Sequence, residues 1–135
     1  MTPSDRDRLL AKFNGNPPLD DTAIRRFETE SGLCFPGDYV RFLQQMDGGE
    51  GFVGNAYVIL WRTEDLLEMN KAYQVFEYAP GLFLFGSDGG GEAFAFDTRS
   101  PAKPIVAVPF VGMALSLARL VAQSFEGFLE ELFKS

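Results

Sequence analysis

The 135-residue chain has no histidine and a single cysteine. Without histidine there is no Ser-His or Cys-His nucleophile, no imidazole proton shuttle and no His-ligated zinc. With one cysteine there is no intramolecular disulfide, CxxC redox pair or thiolate zinc cluster. No apolar run reaches the roughly 18 residues that a membrane-spanning helix needs. The start, MTPSDRDRLL, is polar and lacks the apolar stretch of a secretory signal. A reducing, cytoplasmic setting is expected. Basic residues are also scarce, 12 against 19 acids. Residues 47–97 hold nine acids and two bases, and so carry the whole net charge of −7. A nucleic-acid binder shows the opposite, a basic stripe that displaces counterions from phosphate. An acidic centre on a balanced frame favours a basic partner or a cation, or simply serves solubility.

What is present is a domain-sized chain rich in phenylalanine, 14 in all, which predicts an aromatic core. Thr2-Pro3 is a good helix start, and Leu9, Leu10 and Phe13 give a first helix an apolar side as far as Phe13. Asn14-Gly15-Asn16-Pro17-Pro18 breaks it. Asp20 or Asp21 caps a second helix over 21–31, stopped by Gly32. Tyr39, Phe42, Leu43 and Met46 recur at helical spacing and predict a third helix, 37–47, opened by Pro36. AYVILW, 56–61, reads as a strand. Thr63 caps a helix over about 64–75. LFLFG (82–86), EAFAFD (92–97) and PIVAVPF (104–110) are three strands joined by turns, hence antiparallel. LFLFG is apolar on both faces, so it is expected at the sheet centre. Pro109 points to an edge or bulge at the end of the last strand. Residues 117–133 carry an apolar stripe. Ser124 is a candidate cap there, which leaves one final helix or two. The order is three helices, strand, helix, three strands, helix. The expected fold is α+β: a single domain over 1–135, with an antiparallel sheet of about four or more strands and helices packed on one side.

The most distinctive stretch is the glycine loop FGSDGGGEAF. A phosphate cradle there lacks GKS/T and a following helix, and Asp88 and Glu92 would repel phosphate. Calcium held by Asp88, Glu92 and Asp97 does not fit EF-hand spacing. A glycosidase pair drawn from Asp47, Glu50, Asp88 and Glu92 needs a separation that nothing in the sequence sets. No catalytic residue, metal or cofactor is therefore assigned. Cys34, between Leu33 and Phe35, is expected to be buried. Tyr57, Ile59 and Trp61 share one strand face. Core packing is the default for them, and an exposed Trp61 becomes an interface anchor.

The segment IRRFETESGLCFPGDYVRFLQQMDGG resembles the opening of the SUKH superfamily. The matching positions are Phe27, Glu28, Gly32, Leu33, Phe35, Pro36, Tyr39, Phe42, Leu43, Gly48 and Gly49. FGSDGGGEAFAFD (85–97) is similar to that family's glycine-rich hairpin, and SFEGFLEEL (124–132) to its closing helix. The resemblance covers residue 20 to the end, with 1–19 as an N-terminal helix and loop. Phe35 stands where the family usually has leucine, and Asp47 where it has asparagine. The resemblance implies a non-enzymatic protein-binding domain, of the kind that in bacteria neutralises a cognate toxin of nuclease or deaminase type. Fungal relatives, the Smi/Knr regulators of cell-wall synthesis, act through protein contacts. The alternative is a regulatory or ligand-binding module without a toxin. Beside the acidic middle segment, the resemblance suggests a basic toxin as partner, with neither nucleic acid nor membrane bound. The expected partner-binding residues are Asp47, Glu50, Asp88, Glu92 and Asp97, with Trp61 as the aromatic anchor.

Overall fold

The computed structural model describes residues 2–135. Helix α1 is Pro3–Leu9. Thr2 caps it, its hydroxyl accepting from the Asp5 N–H at 3.1 Å while the Asp5 carboxylate accepts from the Thr2 N–H at 3.2 Å. The helix ends earlier than its apolar spacing predicts. The chain turns at Leu10 and continues as strand β1, Lys12–Gly15. Phe13 is buried as expected, but from a strand.

Helix α2, Asp21–Ser31, has the predicted limits. The Asp20 carboxylate accepts from the Ala23 N–H at 2.8 Å, and Gly32 closes the helix at φ 73°. The next connector alternates sides. Phe35 is buried and Cys34 is exposed, so the expected burial of the thiol fails because its neighbours take the inward positions. Helix α3 is Gly37–Leu43, one turn shorter than expected.

The hairpin β2 (Gly49–Val53) and β3 (Ala56–Leu60) follows. Next come helix α4 (Thr63–Ala72) and the single-turn helix α5 (Val75–Tyr78). Strands β4 (Leu82–Ser87), β5 (Glu92–Asp97) and β6 (Ile105–Pro109) match the three expected strands. The closing stripe divides into strand β7, Arg119–Ala122, and helix α6, Phe125–Lys134. Ser124 caps α6, accepting from the Gly127 N–H at 3.0 Å. One closing helix is therefore right, with a strand before it.

All seven strands form one antiparallel sheet in chain order, β1 to β7. β4 is its middle strand and is buried throughout, as its two apolar faces predict. β6 is not the last strand. β7 pairs only with Ile105–Ala107, so Pro109, still level with Glu92 of β5, lies beyond the β6–β7 pairing, where its missing N–H costs no bond.

The sheet sorts its side chains by period two. Phe83, Phe85, Phe94 and Phe96 point to one face, where Phe27, Phe35, Tyr39, Phe42, Phe125 and Phe128 from α2, α3, α6 and their connectors meet them. Phe85 stacks on Phe96 at 4.5 Å and meets Phe128 edge-on at 5.5 Å, geometries that add to plain burial. Leu82, Leu84, Ala93, Ala95, Val106 and Val108 point the other way. A smaller layer covers them: Val75 and Ala79 around α5, and Met113 from the segment after β6. The main helical layer thus lies on one face, as expected. The thin second layer covers β4–β6 and leaves β1–β3 bare on that side.

β3 and β4 pair only at Ile59–Ser87 and Leu60–Gly86. One further bond runs from the Trp61 N–H to the Phe85 carbonyl, at 3.0 Å. Below it, the side chain of Asn70 in α4 takes the place of a strand. Its Oδ1 accepts from the Leu84 N–H at 2.8 Å, and its Nδ2 donates to the Leu84 carbonyl at 3.0 Å and to the Leu66 carbonyl at 2.8 Å.

Candidate functional site

Val58 and Leu60 of β3 enter the aromatic core. By alternation, Tyr57, Ile59 and Trp61 face the uncovered side. The same parity puts Glu50 and Phe52 of β2, and Lys12 and Asn14 of β1, on that side too. These residues line a broad concavity of about 620 Å³, closed at one rim by Arg62 and Asp65 where α4 begins. A second, adjoining depression of about 450 Å³ shares Ile59 and Trp61 and runs on past Met69, Tyr73, Phe110 and Val111. Its floor is the glycine turn 89–91. The surface is one open face with a polar half and an apolar half.

Large apolar groups are exposed on it. Phe52 is 48 % exposed, Tyr57 37 %, Tyr73 39 % and Val111 90 %. Phe52 and Tyr57 meet edge-on at 5.2 Å. Tyr73 and Phe110 are 4.6 Å apart. Contiguous exposed aromatic surface marks a site of contact with another molecule. The Tyr57 hydroxyl donates a short hydrogen bond to the Glu50 carboxylate. That bond raises the phenol's pKa, with burial and the Glu50 charge adding to it.

The expected site residues divide. Glu50 and Trp61 lie on the open face, Trp61 half-buried as a link between the two halves. Asp88 is in the turn whose Gly89 rests near Tyr57, but it lines a depression on the helical side with Glu92 and Arg119. Its Oδ1 accepts from the N–H groups of Gly90 at 2.8 Å and Glu92 at 3.2 Å. Glu92 has the opposite parity, beside Phe94, and pairs with Arg119 at 2.7 Å on the helical side. Asp97 is at the other end of β5, about 17 Å away at ~3.3 Å per residue. There Arg99 holds it bidentately, at 2.9 Å for each bond. Those bonds depress the Asp97 pKa despite partial burial.

Asp47 is turned inward as a cap. Its Oδ1 accepts from the Thr63 N–H at 3.0 Å, so Thr63 is the first residue of α4 and not its cap. The Asp47 charge also adds to the rise in the Tyr39 pKa, which burial dominates. Asp47→Ala should cost about 1 kcal/mol in urea unfolding, the usual loss for a helix cap, and Asp47→Asn much less. Equal losses would show that charge rather than capping matters there.

β2 and β4 run the same way but are staggered, so the start of β2 lies level with the end of β4, and the acids of the two glycine turns are sorted by the face to which they point. Glu50, level with Ile59 and Ser87, is the one acid of the first turn to reach the shared surface. Lys12, Asn14, Phe52 and Asp65 were missed by sequence reasoning. For Lys12, Asn14 and Phe52 the signal is the period-two alternation of KFNG and GEGFV, weak because each strand is short and carries glycine. Among the described residues, no three Asp, Glu or Cys side chains gather as a metal site, and no helix is long and apolar enough to cross a membrane.

A family model described as SMI1 / KNR4 family (SUKH-1) matches residues 18–131. None of the curated proteins matches the chain.

Proposed function

The chain belongs to the SMI1 / KNR4 family (SUKH-1), and from that premise we propose that it is a non-enzymatic protein-binding domain that neutralises a cognate toxin. One observation supports this above the others: the bare side of β1–β3, where exposed rings surround Glu50 and Trp61. Such a face is large enough to seat a partner element. It is an open concavity rather than a closed pocket. Trp, Tyr and a ring of near-neutral contacts make a typical binding hot spot. A basic partner is supported by the net charge of −7 and its concentration in 47–97, which would speed association at low salt. Glu50 and Trp61 are the residues assigned to contact, and Asp88 adds charge from the helical side. Asp47, Glu92 and Asp97 contribute long-range charge and hold the fold.

The test has two steps. Proteins captured from the source lysate by wild type and by Trp61→Ala are compared and identified. The partner lost in the variant is then expressed alone and with the chain. Trp61→Ala should weaken capture at least tenfold, as hot-spot truncation does, and wild type should relieve the partner's growth arrest. A partner that arrests nothing would overturn neutralisation in favour of a regulatory module. Capture that survives Trp61→Ala would overturn the face.

A further inference from the structure

The acids of the domain differ in what holds them. Asp65 is met by Arg62 at 3.3 Å, and Glu92 and Asp97 have arginines of their own. Among the described residues, Glu50 has a single partner, a neutral donor, the Tyr57 hydroxyl on its Oε2. Lys12 lies one strand over and two residues along, and lines the same concavity. Glu50 therefore presents a carboxylate without an ion pair among the described residues, on an exposed aromatic surface. Ile59 is its cross-strand neighbour. The rings of Tyr57 and Trp61 stand two residues to either side of Ile59, about 7 Å each way along the strand.

We propose that this juxtaposition seats one arginine side chain of the partner, its stem over Ile59 and its guanidinium on the free Glu50 oxygen between the Tyr57 and Trp61 rings. Arginine fits better than lysine. Its planar fork pairs with a carboxylate while its face stacks on an aromatic ring, and it sheds water more easily than an ammonium. Lys12 opposes the incoming cation and keeps the seat weak for isolated cations. The assignment rests on the open face being the docking face, and deepens it by naming the chemistry recognised.

Trp61 is the only tryptophan, so its fluorescence reports the seat directly. The intact chain is titrated at low salt with hexa-arginine, hexa-lysine and hexa-citrulline peptides. Hexa-arginine should give a saturable change, and hexa-citrulline none. Glu50→Gln should weaken the arginine Kd about fivefold, the size of one lost exposed charge contact. Glu30→Gln removes the same charge from exposed α2 and should leave the Kd unchanged. Lys12→Gln should tighten it about twofold. Far-UV circular dichroism checks that each variant is folded. Equal effects of Glu50→Gln and Glu30→Gln, or equal affinity for hexa-lysine, would overturn the seat. If that happens while Trp61→Ala still loses the captured partner, the seat fails alone and the docking face stands.

Discussion

Asn70→Leu is expected to lose about 3–5 kcal/mol of unfolding free energy, more than any surface change in this chain. Leucine is close to asparagine in shape, so the substitution removes polarity without opening a cavity. It leaves the N–H and the carbonyl of Leu84 unpaired in a fully buried place. Each such orphan costs about 1–3 kcal/mol. The bond to the Leu66 carbonyl goes as well. A second variant gives the same argument a pH signature. In Asn70→Asp the carboxylate would face two carbonyls that now receive an N–H, and burial adds to the cost of its charge. Its folded pKa must rise above the unfolded value near 3.9. The folded state then holds the proton that the unfolded state releases, so stability relative to wild type falls as pH rises above about 4, by up to ~1.4 kcal/mol per unit. Urea titrations of both variants and wild type at pH 4, 5.5 and 7 are the measurement. A Leu variant within 1 kcal/mol of wild type, or an Asp deficit flat with pH, would mean that Asn70 does not close the gap between β3 and β4.

The same residue shows where reading the sequence stops short. LFLFG, EAFAFD and PIVAVPF announce strands because their apolar side chains alternate or run together. Asp20, Gly32 and Ser124 announce helix limits because capping chemistry is local. Asn70 announces nothing. It is a polar residue one turn after Leu66, and its task depends on a strand 14 residues away. Strands β1, β2 and β7 were equally silent. They are four or five residues long, two of them carry glycine, and their pairing partners rather than their own composition make them strands. The site suffered for this. Without β1 and β2 the acids at 47–50 and 88–97 look like one patch. With them, alternation sends Glu50 and Glu92 to opposite faces. Glu50 and Trp61 were legible as candidates, one by charge and one by strand parity. Their shared surface was not, since it exists only because the thin second layer stops at β4.

The two motifs DGGEGF and DGGGEAF look alike, and each needs glycine at a positive-φ position, Gly48, Gly49 and Gly51 in the first and Gly89 in the second, but Gly91 of the second is unconstrained. In the first, Gly49 has φ 146° and Gly51 φ 152°, a region that other residues essentially do not enter. A Cβ on Gly49 would also strike the Asn14 carbonyl oxygen and come within 2.8 Å of the Gly15 Cα. One on Gly51 would sit 2.6 Å from the Lys12 carbonyl oxygen. Both glycines let β1 lie close on β2. In the second motif, Gly91 has nothing within 4 Å and no unusual φ. Gly49→Ala should therefore cost about 3 kcal/mol or more, combining backbone strain of about 1–3 kcal/mol with lost pairing to β1. Gly91→Ala should stay within about 0.5 kcal/mol. Hydrogen exchange should show the Gly49 loss concentrated in β1, whose amides would exchange early while those of β4 and β5 stay protected. The consequence reaches function, because β1 carries Lys12 and Asn14, the outer wall of the open face. Partner affinity should fall about tenfold in Gly49→Ala even where the rest of the chain is folded. If β1 stays protected and the partner binds as before, the wall formed by β1 is not part of the docking surface, and contact is confined to β3 and the apolar half beyond Trp61.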